Sequence, residues 1–208
     1  MSFCLFLEFA AGEVPRFGAL PGLQAALAHT PARAHDPFLD DGAPPQLVLQ
    51  LYFASLPELE QAATRVTWPQ SLVSYEAMLV RRYPVRDSGA GEPWCTYLVR
   101  YEGPAQDPHA WLAHYLAHHP ALMARLPGIR ELEIYTALDW VGAMPGERLR
   151  SLQRNKVAFE NPGALNAALD SPERRAMRAD YAALPPFSGR VLHFPMLTRR
   201  IPGIPGLS

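Results

Sequence analysis

The sequence predicts an α+β chain of two ferredoxin-like repeats, whose antiparallel four-stranded sheets pack as an α+β barrel. Three observations predict it. First, Leu20-Pro21-Gly22-Leu23 recurs 106 residues later, from 20 to 126, as Leu126-Pro127-Gly128-Ile129. Phe53 and Phe159, Leu59 and Leu165, and Ala62 and Ala168 keep that offset. Second, Met78-Leu79-Val80-Arg81-Arg82-Tyr83-Pro84 matches Met196-Leu197-Thr198-Arg199-Arg200-Ile201-Pro202. Third, the second half reads β-α-β-β-α-β, the split unit of a ferredoxin-like fold.

The elements of the second half follow from local chemistry. Trp94 to Tyr101 is rich in aromatic and β-branched residues and predicts a strand. Asp107 to Arg125 predicts a helix, with Asp107 as N-cap and Pro108 at its first position. Leu126-Pro127-Gly128 stops it, and Ile129 to Thr136 alternates as a strand. Leu152 to Phe159 predicts a third strand, against the polarity of Gln153-Arg154-Asn155-Lys156. Asn161 to Leu169 opens a second helix with an extension through Met177 to Tyr181, and Gly189 to Arg200 is the fourth strand.

The first half has the same order with one omission. Phe3 to Phe9, Leu23 to Ala28, Leu47 to Phe53 and Val73 to Arg82 predict strands, and Leu56 to Arg65 a helix. Leu7 to Leu20 spans 13 residues where the matching Val99 to Leu126 spans 27, so most of the first helix is missing. Pro84 to Pro93, with Ser88-Gly89-Ala90-Gly91, reads as a linker. The division is therefore a degenerate repeat over 1–86 and a complete one over 87–208. A sheet with helices on one face must cover the other, here also read as apolar, so the two sheets are expected to pack face to face. That makes an intramolecular pseudo-dimer, with a homodimer still open.

Composition narrows the function classes. The chain has 208 residues, 49% apolar and 19% charged, which suits a folded core rather than disorder. Its 22 prolines are scattered as loop punctuation. A net charge of −1 argues against a nucleic-acid partner. Cys4 and Cys95 cannot build a disulfide framework and suit a reducing cytoplasm. No stretch reaches the length of a membrane span, and Glu8 interrupts the apolar start, which therefore reads as a strand and not a signal peptide.

The helix present in only one copy carries the candidate chemistry. On a helical wheel, Trp111, Leu122, Tyr115, Leu126, Leu112, Met123 and Leu116 fall within an arc of about 140°. His119 lies near its middle, while His118 and His114 lie outside it. Pro120 is expected to kink the helix. A histidine on an apolar face is either a satisfied core residue or a general base on a pocket wall. His114 and His118 share a helix face at i, i+4 spacing but lack an obvious third ligand, so no metal is expected. Tyr97 and Tyr101 share one face of their strand and, with Tyr135 and His193, either border a pocket as partners of His119 or serve as packing or barrel-interior residues, the latter being the commoner case; Trp111 and Trp140 are candidate walls. Arg81-Arg82 and Arg199-Arg200 recur in both halves and read as structural.

Tyr115, His119, Pro120-Ala121-Leu122-Met123 and Leu126-Pro127-Gly128 together resemble the signature region of EthD-like proteins, of the dimeric α+β barrel superfamily. The resemblance extends through Ala167 to Glu173 and the last strand; the first half lacks the helix and its histidine. It implies a barrel made from paired ferredoxin-like units, here within one chain. It also implies a small hydrophobic or aromatic ligand between helix and sheet. On this reading the protein is a cofactor-independent oxygenase or isomerase, with His119 as general base. Trp111, Tyr115, Leu122, Tyr97, Tyr101, Tyr135, Trp140 and His193 then border the substrate. The alternatives are a non-catalytic binding or assembly protein and, more distantly, a haem-binding monooxygenase. An open cavity and a polar partner beside His119 would separate catalysis from packing.

Overall fold

A computed structural model describes residues 2–16, 20–34, 36, 41–86 and 94–201. The linker residues Ser88-Gly89-Ala90-Gly91 and Pro202 lie outside them. The first repeat holds β1 (Ser2–Phe9), β2 (Leu23–Pro31), β3 (Leu47–Phe53), α1 (Leu56–Arg65) and β4 (Leu72–Tyr83). The second holds β5 (Trp94–Glu102), α2 (Pro108–Met123), β6 (Glu131–Ala137), β7 (Glu147–Arg148), β8 (Ser151–Phe159), α3 (Pro162–Leu169), α4 (Pro172–Ala182) and β9 (Val191–Arg200). Among the described residues the first repeat has no helix between β1 and β2. The extension after α3 is a separate helix, because Ser171 caps a new start and Pro172 follows it.

Eight strands close into an antiparallel barrel in the order β1-β3-β2-β9-β5-β8-β6-β4, with β4 returning to β1. The short β7 lies parallel to β4. The two sheets pack as one barrel, as expected. The repeats also join edge to edge, β2 to β9 and β4 to β6, which leaves no open edge in the ring. Helices lie outside, as expected.

Local signals explain the helix limits. Ser55 and Glu58 form a capping box for α1. The Asp107 side chain accepts from the backbone N–H groups of His109 and Ala110 at the start of α2. Gly22 and Gly128 sit at φ +77° and +70°, so the repeated Leu-Pro-Gly blocks both need a residue without Cβ strain. Helix α2 runs through Pro120, which is buried within it.

Strand alternation divides the buried side chains into three groups. Leu5, Leu7, Leu49 and Leu51 pack beneath α1. Tyr97, Val99, Tyr101, Ile134 and Val157 pack beneath α2, α3 and α4. Cys4, Phe6, Val48, Tyr52, Met78 and Tyr135 point into the barrel. The interior face is not the apolar surface expected. Glu8, His29, Gln50, Glu76, Glu133, Arg154 and Lys156 are buried there too, and they face one another in ion pairs and hydrogen bonds.

Candidate functional site

The site lies between the second repeat's sheet and its helices. His119 projects from α2 and is 3% exposed. Asp180 of α4 accepts from its Nδ1 at 2.7 Å. A carboxylate only accepts, so Nδ1 carries the proton and Nε2 keeps its lone pair. Burial lowers the His119 pKa, and the hydrogen bond and charge of Asp180 oppose that without overcoming it.

His119 borders a cavity of about 30 Å³. On that measure a water needs roughly 10–15 Å³, so the space takes a water or two and a larger guest must move side chains. Val99, Met123, Leu126, Val157, Leu165 and Met177 make its lining largely apolar. Tyr97, Tyr101, Asn155, Arg174 and His193 add polar groups to the wall. Two of these have unmet hydrogen-bonding capacity. Asn155 Nδ2 donates to Tyr115 Oη at 2.9 Å, but its Oδ1 is buried without a partner. The Arg174 Nη2 donates to Asp36 at 3.1 Å, but its Nε is buried without one. Such atoms cost free energy unless something meets them.

The first repeat reaches into this site. Asp36 also accepts from Tyr97 Oη at 2.5 Å, and Asp41 accepts from the Nδ1 and backbone N–H of His193. Burial, then the neighbouring Asp36 charge, pushes the Tyr97 pKa up. Burial lowers that of His193, against its hydrogen bond to Asp41.

Of the sequence-derived candidates, His119, Tyr97, Tyr101 and His193 meet at the cavity. Trp111 and Tyr115 stand behind its wall; their rings stack at 5.4 Å, and Tyr115 lies 4.7 Å from the His119 ring. Leu122 is half-buried on the flank of α2. Two candidates lie elsewhere. Trp140 follows β6 across to the first repeat, where it packs against Tyr75 and under the Arg148 guanidinium at 4.3 Å. It adds cover to the sheet face that, among the described residues, has one helix of its own. Tyr135 points the other way from its strand neighbours Ile134 and Thr136, into the barrel.

Inside the barrel Tyr135 donates to Glu133 at 2.5 Å and accepts from Gln50 Nε2 at 2.9 Å. Gln50 Oε1 accepts from His29 Nε2 at 2.8 Å, and His29 Nδ1 is hydrogen-bonded to Thr198 Oγ1 at 2.8 Å. Lys156 ends the chain, 2.9 Å from Glu133 and 3.0 Å from Glu131. Burial would raise the Glu133 pKa, but Lys156 and the hydrogen bonds from Tyr135, Lys156 and Tyr52 hold it at about 2. Burial, and next the Lys156 charge, lowers that of His29 to about 3.

Asn155, Arg174, Asp180 and Asp36 escaped sequence reasoning. A signal existed for Asn155: a strand polar at Gln153 to Lys156 on both faces must meet polar surroundings on both. Asp180 lies 61 residues from His119, and no spacing rule links them.

Neither protein-family models nor curated proteins match the sequence. Solved structures do. An anthrone oxidase-like protein aligns over 100% of this chain and 95% of its own, with a TM-score of 0.59 and 14% identity. A putative monooxygenase from Fusobacterium nucleatum aligns over 96% and 93%, with a TM-score of 0.58 and 6% identity. The chain shares with them an α+β fold built on an eight-stranded antiparallel barrel. At such identities the likeness concerns architecture, here with both halves of the barrel in one chain. No helix of the described residues is long and apolar enough to cross a membrane.

Proposed function

We propose that the protein is a cofactor-independent oxygenase or isomerase acting on a small hydrophobic or aromatic compound. The observation that carries the reading is His119 held between Asp180 and a largely apolar cavity. The fixed tautomer turns Nε2 into the proton acceptor, and Asp180 balances the imidazolium that forms. The substrate is a ketone or phenol whose anion is delocalised. The unmatched Nε–H of Arg174 meets the developing oxyanion, in a site where water is scarce and the contact strong. Return of the proton to another carbon gives an isomer. Reaction of a CH2 carbanion with O2 gives a carbonyl and one water, with O2 as oxidant.

The first step is separable from the rest. 2-Indanone is a compact ketone with acidic CH2 groups. In D2O at pH 7, its deuterium exchange followed by proton NMR rises in proportion to the protein. His119→Ala lowers that enhancement by roughly 100-fold or more, as expected for loss of a general base, while its circular dichroism spectrum stays native. Equal enhancement by the folded variant would overturn the proposal, and so would no enhancement by the parent protein.

A further inference from the structure

We propose that His114, His118 and Asp180 form a binding site for a divalent cation of the zinc type, on the outer side of the α2–α4 contact. One ligand atom from each residue lies within 4.8 Å of the other two. Nothing in the His119 reading requires this site.

The protonation states suit a metal. His118 Nδ1 lies 3.0 Å from the carbonyl oxygen of His114. A carbonyl only accepts, so Nδ1 carries the proton and the exposed Nε2 keeps a lone pair. His114 Nε2 is buried and has no hydrogen-bond partner. It lies 3.5 Å from Asp180 Oδ1. A buried, unpartnered ring nitrogen facing a carboxylate oxygen is the half-site that a cation completes.

Asp180 is already oriented for this. Its Oδ2 accepts from His119, which turns Oδ1 toward His114. Such outer hydrogen bonds are how proteins aim metal-binding carboxylates. The metal takes Oδ1 and leaves the bond to His119 in place.

The spacing fits zinc. Tetrahedral zinc with bonds of about 2.0–2.1 Å sets neighbouring ligands about 3.4 Å apart. The His114–Asp180 pair is at that spacing now. His118 has to close by at most about 1.4 Å to reach it, which a side-chain rotation on an exposed helix face supplies. Two imidazoles and one carboxylate favour zinc, cobalt, nickel or copper over magnesium or calcium, which want oxygen ligands. The fourth position opens to solvent beside His118.

Zinc titration of the metal-free full chain at pH 7.5 by calorimetry tests the site. One ion binds per chain at micromolar or lower Kd. A zinc excess of 100 Kd raises Tm by roughly 5–10 °C, because the ion ties α4 to α2 only in the folded state. Cobalt gives the strong visible absorption of a tetrahedral centre. His118→Ala sits on the surface and folds normally; it weakens binding at least ~10-fold, as does Asp180→Asn. His109→Ala, an exposed histidine on the same helix, leaves binding unchanged. Binding only above millimolar zinc would overturn the proposal, and so would an unaltered Kd in His118→Ala. Either result leaves the indanone exchange of the His119 reading untouched.

Discussion

Lys156→Met tests whether the barrel interior is held by charge pairing. Lys156 is the only lysine among the 19 lysines and arginines, and it is 1% exposed. Its ammonium donates to Glu133 at 2.9 Å, Glu131 at 3.0 Å and Tyr52 Oη at 2.9 Å. Met fills most of its volume, so packing changes little. Glu133 is the group left exposed to the loss. It keeps Arg82 at 2.9 Å, but Arg82 lies mostly in solvent while Glu133 is 1% exposed. Breaking one side of a buried pair costs about 3–5 kcal/mol. With a urea dependence of about 2 kcal/mol per molar, a loss of ~4 kcal/mol moves the midpoint down by ~2 M. Adding Glu133→Gln removes the stranded charge and restores about half of that loss. Urea unfolding at 25 °C and pH 7, followed by tryptophan fluorescence, reads both numbers. A Lys156→Met midpoint within ~0.5 M of the parent, or a double variant less stable than the sum of its parts, would refute the reasoning.

Two further predictions concern the frame. His29 has a folded pKa of about 3, below its unfolded value of about 6.5. The unfolded chain therefore binds more protons between those values. The stabilisation is complete above pH 6.5 and fades as pH falls toward 3. From pH 6.5 to 4.5 the parent loses about 2.3 kcal/mol through this residue. Urea midpoints at the two pH values should fall less steeply in His29→Gln, and equal slopes would reject the assignment. The two repeated glycines make a matched pair. Gly128→Ala meets only Ala164, at 4.0 Å, so it costs the left-handed strain of about 1 kcal/mol. Gly22→Ala adds a collision with the Glu58 side chain, which belongs to the α1 capping box. It should cost about 1 kcal/mol more, as a Tm difference between the two variants; a smaller loss for Gly22→Ala would contradict the contact.

Most of the frame was legible in the residues. Strands and helices repeat because the same punctuation repeats, and Leu-Pro-Gly works twice through the same backbone geometry. Leu56 to Arg65 appears with the bounds its sequence predicts. The edge-to-edge closure was not legible, because pairing between β2 and β9 joins segments some 170 residues apart. The barrel's polar interior was hidden for another reason. Glu8, Glu76, Arg154 and Lys156 each look like a surface charge in a local window, and only the closed ring brings them together. At the site, periodicity placed His119 but not its partners. Asp180 and Arg174 stand on α4, far along the chain from His119, and Asp36 comes from the other repeat.

A barrel of two identical chains is bound by its symmetry. Any residue altered at the seam is altered in both copies, and two equal pockets result. In this chain that constraint is gone. Among the described residues, one half has no counterpart of a helix that the other has. The freed half contributes Asp36 to Tyr97 and Arg174, and Asp41 to His193, across the seam. A pocket wall can thus be altered from the first repeat by changes that leave β5, α2 and α4 untouched. On the proposed function, one half carries the chemistry, and the other can be varied to tune it.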